Sequence, residues 1–173
     1  MTELCAIALG SNLSSEIGNS EKIVQAAIAK IATYPEIEVV KVSHWYRTKA
    51  ITLPNTAPQP DYINGCAIVK TSLTPLQLLE TLFKIEQLFG RERRQRWGAR
   101  TLDLDLLLYG DRQMDSAELV LPHPRMGDRA FVLLPLAEIA GDWIHPVNQL
   151  AIRELAKIAP DLDLCQPMAI GID

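Results

Sequence analysis

The order of its short apolar segments is the feature of this sequence that most restricts its fold. Four segments are brief, apolar or β-branched and bounded by turn-forming residues, as buried strands are: residues 4–9, 39–46, 62–71 and 101–109. Between them lie two helical segments. One begins at Asn19 or Ser20, either of which can cap a helix, and the other at Thr74, which precedes a proline. The predicted order is strand, helix, strand, strand, helix, strand.

This order predicts an α+β protein with a ferredoxin-like core, in which a mainly antiparallel sheet is flanked by helices as three α/β/α layers. The chain has 173 residues, of which 48% are hydrophobic. We therefore expect a single domain over residues 1–173. Residues 49–60 contain three prolines and predict a long exposed loop.

The first helical segment has a predicted apolar face, and the second groups five residues on one side. In the first it consists of Ile23, Ala27, Ile28 and Ile31. In the second, residues on one side are Leu76, Leu79, Leu82, Phe83 and Glu86, and Gly90 is the expected C-cap. Beyond the fourth strand we expect a short strand at 119–121 and helices at 128–137 and 151–158.

Charge is unevenly distributed along the chain. The net charge is −4, yet residues 90–100 contain five arginines and a single glutamate. A basic patch on an acidic protein favours a compact anionic ligand and argues against nucleic acid as a partner. No apolar run approaches the roughly 20 residues of a membrane span, so no membrane association is expected. Cys5, Cys66 and Cys165 match no zinc-site spacing, and three cysteines cannot all pair in disulfides. Both observations favour buried thiols in a cytoplasmic protein.

Asp103 and Asp105 lie on the last predicted strand with one residue between them. Alternate strand residues share a face, so the two carboxylates lie together with Cα atoms about 6.6 Å apart. Carboxylate pairs suit a hard cation such as Mg²⁺, with water and phosphate oxygens completing its coordination. A solvated pair on an edge strand is the ordinary alternative. The adjoining arginines favour the metal–nucleotide reading, because guanidinium groups match phosphate oxygens.

Other candidate residues are ambiguous when taken singly. The G-S-N turn at 10–12 lacks the pattern of a phosphate-binding loop, and a tight turn is as good an explanation as a ligand site. A lone His123 is more often structural than catalytic, and Tyr62 and Phe131 are ordinary core aromatics. Trp97, within a charged loop, suggests an aromatic side chain that closes over a flat ligand.

Eight motifs occur in an order that resembles one known family. They are L-G-S-N-L at 9–13, Y-R-T at 46–48, P-D-Y-I-N at 60–64, I-E at 85–86, G-R at 90–91, R-W-G-A-R-T-L-D-L-D at 96–105, L-P-H-P-R at 121–125 and R-A-F-V-L at 129–133. Together they resemble 6-hydroxymethyl-7,8-dihydropterin pyrophosphokinase of folate biosynthesis. The resemblance extends from about residue 4 to about residue 145, and the segment at 96–105 is its most specific part.

The resemblance implies transfer of the terminal diphosphate of ATP to the pterin hydroxymethyl group, with release of AMP. It implies two Mg²⁺ ions held by Asp103 and Asp105, and contacts to phosphate from Arg91, Arg100, His123 and Arg129. Glu86 matches a position at the nucleotide site. The pterin-site positions are Thr48, Tyr62, Asn64, Trp97 and Phe131, with Tyr62 and Phe131 on either face of the ring. Arg91, Arg100, Asp103 and Asp105 are the implied catalytic residues.

Two positions depart from the family pattern, because Lys49 and Ala99 stand where proline is common. Both changes relax a loop, and neither removes a ligand. Three other functions remain as alternatives: an RNA-binding module, a catalytically inactive relative, and another Mg²⁺-dependent nucleotidyl or phosphoryl transferase. The RNA-binding signature is absent. We expect a monomer whose partners are small molecules.

Overall fold

The computed structural model describes residues 1–50, 54–90 and 101–168. The helices are α1 (Ser20–Ile31), α2 (Pro75–Leu88), α3 (Ala130–Ala140) and α4 (Ile152–Lys157). The strands are β1 (Glu3–Ser11), β2 (Ile37–Val42), β3 (Tyr46–Thr48), β4 (Tyr62–Thr71), β5 (Asp103–Tyr109), β6 (Met114–Asp115), β7 (Val120–Leu121) and β8 (Cys165–Pro167). Short 3-10 helices at Met126–Asp128 and Leu162–Leu164 precede α3 and β8.

One antiparallel sheet organises the described residues. Its strand order is β5-β1-β4-β3-β8, and β2 pairs with β4 beyond the end of β3. The path β1-α1-β2-β4-α2-β5 places β1 and β4 at the centre of the sheet, with β2 and β5 beside them. This is the ferredoxin-like arrangement, so the predicted α+β class is confirmed.

Helices cover both faces of the sheet. Strand β1 directs Ile7 and Leu9 to one face, where they pack with the buried side chains of α1 and α2. It directs Ala6 and Ala8 to the other face, where α3 and α4 pack. Each fully buried large apolar side chain stabilises the fold by about 1.5–3 kcal/mol. The expected three layers are therefore present.

Helices α1 and α2 begin directly after the capping residues that the sequence predicted. Asn19 caps α1 by accepting the backbone N–H of Lys22 at 3.0 Å. Thr74 and Gln77 form a reciprocal capping box at the start of α2. The C-cap of α2 is Phe89 instead of Gly90, which follows it with a φ of 80°. Glycine is suited to that position because a left-handed backbone there carries no Cβ penalty.

The segment predicted as one strand at 39–46 is two strands, β2 and β3. Between them the hydroxyl oxygen of Ser43 accepts the backbone N–H of Cys66 at 2.9 Å, in place of a backbone carbonyl. The Trp45 ring then packs across Gly65, where an added Cβ would lie 2.4 Å from the ring. The strand pairing is therefore interrupted where the indole of Trp45 is buried, at 8% exposure. Pairing with β4 resumes at Tyr46.

The side of α2 that carries Leu76, Leu79, Leu82, Phe83 and Glu86 only partly overlaps the core face of the helix. The core face consists of Leu78, Leu82 and Ile85, which are fully buried. Leu76 and Phe83 are 45% and 37% exposed. Phe83 belongs to a second face of α2, with Leu79 and Glu86, and this face borders the cavity described below.

The C-terminal third also differs from expectation. The strand expected at 119–121 is β7, which forms a hairpin with β6, and α3 begins at Ala130 instead of residue 128. Strand β8, for which the sequence offers no signal, pairs with β3 at the sheet edge. Within the described residues no helix is long and apolar enough to cross a membrane.

Candidate active site

The carboxylates of Asp103 and Asp105 lie on β5, at the outer edge of the central sheet. Their neighbours Leu102, Leu104 and Leu106 are buried on the opposite face, whereas both aspartates are half-buried. This alternation is the one expected from strand geometry. The carboxylates therefore share the face of the sheet on which α3 packs.

A cavity of about 460 Å³ borders this edge of the sheet. The second face of α2 and residues 118–129 form its other walls. Five of the residues predicted for the site line it: Glu86, Asp103, Asp105, His123 and Arg129. Glu118 and Arg125 also line it, although the sequence reasoning assigned them no role. Carboxylates and cations thus meet in a single cavity, as a site for a metal-bound polyphosphate requires.

His123 is held in one orientation beside β5. Its backbone N–H donates to the carbonyl of Leu107 at 2.9 Å, and its ring Nδ1 accepts the backbone N–H of Arg125 at 3.2 Å. Burial lowers the pKa of His123, and the positive charge of Arg129 lowers it further. The ring is therefore neutral at pH 7, with its proton on Nε2. That N–H is a donor suited to a phosphate oxygen.

Arg129 lies at the N-cap of α3, and its guanidinium Cζ is 5.4 Å from the centre of the Phe131 ring. This distance is within the range of a cation–π contact. Burial lowers the pKa of Arg129, and the nearby charges of Asp105 and Asp103 oppose that effect. The side chain therefore remains a cation that faces the carboxylate pair.

Asn64 lies in the same row of the sheet as Asp103, because both residues pair with Gly10 of the intervening strand β1. Two strand spacings separate them, about 10 Å. The Asn64 amide lies over Gly10, since a Cβ at Gly10 would be 2.7 Å from Asn64 Oδ1. Asn64 Nδ2 donates to Thr48 Oγ1 at 2.6 Å. Two of the predicted pterin-site residues are therefore joined by a hydrogen bond on the face of the sheet that carries the carboxylates, with β1 between them and β5.

The G-S-N segment is not a tight turn, because Gly10 and Ser11 are the last two residues of β1 and only Asn12 follows the strand. Asn12 is 2% exposed, and its Nδ2 donates to Gln59 Oε1 at 3.2 Å and to the carbonyl of Pro60 at 3.1 Å. The described part of the predicted loop at 49–60 contains no helix or strand. Asn12 therefore has a structural role, because it holds the loop that leads into β4.

Several predicted site residues lie outside the described part of the chain: Arg91, Arg93, Arg94, Arg96, Trp97 and Arg100, together with the departure at Ala99. Lys49, the other departure, is exposed. Gly10, over which the Asn64 amide lies, also contributes to the arrangement in a role that the sequence did not predict. For Gly10 a signal existed, because a glycine inside a strand pattern often marks a close approach by another group.

Comparison with known proteins identifies the family. The model of the 7,8-dihydro-6-hydroxymethylpterin-pyrophosphokinase family matches residues 6–141. A 2-amino-4-hydroxy-6-hydroxymethyldihydropteridine pyrophosphokinase of Synechocystis sp. is 47% identical over 167 residues, which cover 96% of this chain and 81% of that protein. The Haemophilus influenzae protein of the same name is 42% identical over 151 residues, covering 87% and 89%.

Solved structures agree on the fold. A Plasmodium falciparum HPPK-DHPS variant crystallised with pterin and p-hydroxybenzoate aligns with a TM-score of 0.72 at 15% identity, over 98% of this chain and 47% of that one. The wild-type protein with pteroate aligns with a TM-score of 0.66 at 15% identity, over 91% and 42%. This chain therefore spans less than half of those longer proteins. The family match covers most of the chain, and the two relatives match over 81% and 89% of their own length. The chain belongs to the 7,8-dihydro-6-hydroxymethylpterin-pyrophosphokinase family.

Proposed function

We propose that this enzyme transfers the terminal diphosphate of ATP to the hydroxymethyl group of 6-hydroxymethyl-7,8-dihydropterin, a step of folate biosynthesis. The hydroxymethyl oxygen attacks the β-phosphorus, the bond from that phosphorus to the oxygen it shares with the α-phosphorus breaks, and AMP leaves. The hydroxyl proton is released. The observation that carries the proposal is the meeting of Asp103, Asp105, His123 and Arg129 in one cavity, beside the hydrogen-bonded pair Asn64 and Thr48.

Asp103 and Asp105 are the proposed ligands of two Mg²⁺ ions. The residues present fit such ions, because both side chains are half-buried carboxylates on one strand face. The described residues contain no cluster of three or more His, Cys, Asp or Glu side chains suited to a metal. Two carboxylates leave most coordination positions to water and phosphate oxygens, which is how a metal–nucleotide complex is held. When bound, Mg²⁺ would neutralise charge on the phosphate oxygens.

His123 and Arg129 are the proposed phosphate contacts within the described residues, and Arg91 and Arg100 are proposed to join them. The neutral His123 donates one hydrogen bond through Nε2, and Arg129 supplies a delocalised positive charge. Diphosphate transfer depends mainly on alignment of the reacting groups and on charge neutralisation. These residues supply both without a covalent intermediate.

Glu86 and the second face of α2 are proposed to bind the nucleoside part of ATP. Glu86 is 2% exposed and lines the cavity with Leu79 and Phe83. The two apolar side chains offer a surface for the flat base, and the carboxylate offers an acceptor for ribose hydroxyls or an amino group. ATP would thus lie along the β5 edge of the sheet, with its phosphates toward the aspartates.

The pterin is proposed to bind where β3 and β4 adjoin the start of α3. Asn64 and Thr48 present amide and hydroxyl groups that match the donors and acceptors on the edge of the ring. Tyr62 and Phe131 are both half-buried and are proposed to stack on its two faces, and Trp97 is proposed to close the site. Exclusion of water would favour the pterin hydroxyl over water as acceptor of the diphosphate.

We also propose that the chain is a single domain and acts as a monomer in the cytoplasm. Its three cysteines support this location, because all are buried free thiols. Disulfides are rare in reducing compartments, and a thiol buried in the core is a small apolar side chain there.

The test is release of AMP with ATP, Mg²⁺ and 6-hydroxymethyl-7,8-dihydropterin. We expect AMP that depends on the pterin, with kcat at least about a hundredfold lower in Asp105→Asn, because loss of a metal-binding carboxylate costs several kcal/mol in the transition state. Asp115→Asn, an exposed acidic residue of β6, is the matched control and should retain activity. Release of ADP would instead indicate simple phosphoryl transfer. ATP binding without turnover would indicate an inactive relative.

A further inference from the structure

The C-terminal segment 161–167 contacts both walls of the proposed pterin site. Asp161 Oδ1 accepts the backbone N–H of Ala130, the first residue of α3, at 2.7 Å. A few residues later, β8 pairs with β3, where Cys165 lies opposite Thr48. The sequence of this segment contains no functional motif. Its contacts nevertheless reach the strand that carries Thr48 and the helix that carries Phe131.

Asp161 supplies the cap that the local sequence of α3 lacks. Arg129 occupies the N-cap position and makes no capping hydrogen bond through its side chain. The first N–H groups of a helix have no partner within the helix, and they carry the positive end of its dipole. A carboxylate that accepts one of them forms a charge-assisted hydrogen bond, which is stronger than a neutral one. Asp161 therefore caps α3 from 31 residues away in the chain.

The other end of α3 is held independently. Glu138 accepts hydrogen bonds from the hydroxyl of Tyr46 and from the backbone N–H of His44, the latter at 3.1 Å. Both partners belong to the chain that leads into β3 and forms it. At the first turn, the buried side chains of Ala130, Val132 and Leu133 pack in the core, and Asp161 adds the hydrogen bond to the Ala130 backbone.

Ala130 lies between the two residues that α3 contributes to the proposed site. Arg129 and Phe131 are its neighbours, and the guanidinium of Arg129 lies 5.4 Å from the Phe131 ring centre. We propose that Asp161 is a positioning residue, which fixes the backbone at Ala130 and thereby aims Phe131 at the pterin and Arg129 at the phosphates. This inference rests on the proposed function.

The backbone hydrogen bond carries the effect, and the charge of Asp161 is secondary. Among the carboxylates that act on Arg129, Asp105 is the strongest and Asp161 the weakest. The charge of Asp161 therefore contributes least to keeping Arg129 a cation. Asp161→Asn keeps an oxygen that can accept the Ala130 N–H, whereas Asp161→Ala removes the acceptor. The two variants separate capping from charge.

The decisive measurement is pterin affinity in a double-mutant cycle. Calorimetry with 6-hydroxymethyl-7,8-dihydropterin, in saturating Mg²⁺ and α,β-methylene-ATP, gives Kd for the parent, Asp161→Ala, Phe131→Ala and the double variant. We expect Asp161→Ala to raise Kd roughly five- to fiftyfold, as loss of a charge-assisted hydrogen bond would. In the Phe131→Ala background, Asp161→Ala should change Kd less than twofold, because the ring that Asp161 positions is absent. Asp161→Asn should restore most of the affinity.

Asp163→Ala is the matched control, because Asp163 is an exposed acidic residue of the 3-10 helix that begins directly after Asp161. Hydrogen exchange at the Ala130 amide provides a readout that needs no activity, and Asp161→Ala should reduce its protection at least tenfold. Unchanged protection, or a Kd that rises equally with and without Phe131, overturns the inference. If the parent releases AMP and Asp161→Ala binds pterin normally, the inference fails and the proposed function stands. A parent that does not bind pterin overturns both.

Discussion

A methyl group at Gly10 should weaken pterin binding by displacing Asn64. Gly10 lies between Asn64 and Asp103 in one row of the sheet, and the Asn64 amide lies over it. An added Cβ would be 2.7 Å from Asn64 Oδ1, whereas C···O contacts in proteins lie at about 3.3–3.6 Å. In Gly10→Ala the amide must therefore retreat by about 0.6 Å or rotate.

The structure leaves the amide little room for that retreat. Asn64 is 6% exposed, and its Nδ2 already donates to Thr48 Oγ1 at 2.6 Å. A shift of this size misaligns the hydrogen bonds that we propose it makes to the pterin edge. Two such bonds contribute about 1–3 kcal/mol, so Kd for the pterin should rise roughly 5- to 150-fold. ATP affinity should change little, because the three atoms nearest the added Cβ belong to Asn64 and Tyr62, and none to a proposed nucleotide contact.

Calorimetric titration of the pterin, in Mg²⁺ and α,β-methylene-ATP, measures this effect. The matched control is Gly127→Ala, where the added Cβ would meet only the Asn148 amide at 3.8 Å, an ordinary contact. In an Asn64→Ala background, Gly10→Ala should have no further effect, since the group it displaces is absent. The reasoning is refuted if Gly10→Ala binds pterin like the parent, or if its effect persists without the Asn64 side chain.

Three further predictions concern stability and reactivity. Gly65→Ala should lower the free energy of unfolding by about 1–3 kcal/mol in urea titrations, because its Cβ would lie 2.4 Å from the Trp45 ring; an unchanged midpoint would contradict that packing. Burial lowers the pKa of His145, so the folded state binds fewer protons than the unfolded state and stability should fall as pH drops below about 6.5. His145→Asn keeps an acceptor for the backbone N–H groups of Val147 and Asn148, which donate to His145 Nδ1. This substitution should flatten the dependence of stability on pH in that range. Burial raises the pKa of Cys165 to about 11 and that of Cys66 further, so neither should react with a thiol reagent at pH 8 until urea unfolds the chain.

Features set by local geometry were predictable from the sequence. The limits of β4 agree with the prediction at both ends, and Asn19 and Thr74 begin the two helices of the first face. The shared face of Asp103 and Asp105 follows from the two-residue period of a strand alone. Each functional motif is a short continuous run of residues, so the family resemblance was visible before any fold was known.

Features set by contacts between distant segments were not predictable in this way. The break between β2 and β3 depends on Gly65, which accommodates the ring of Trp45 20 residues earlier. The exposure of Phe83 depends on the cavity beside β5, because the helical period alone cannot tell a core face from a site-facing one.

Local sequence therefore determined the helices, most strands and the chemistry of the carboxylate and arginine groups. The tertiary structure decided which of these groups meet. Strand pairing brings Asn64 and Asp103 into one row through Gly10, and a carboxylate at residue 161 caps a helix that begins at residue 130. The physical reason is that a local capping hydrogen bond joins residues a few positions apart, so the sequence predicts it. A hydrogen bond between distant segments depends on how the chain packs.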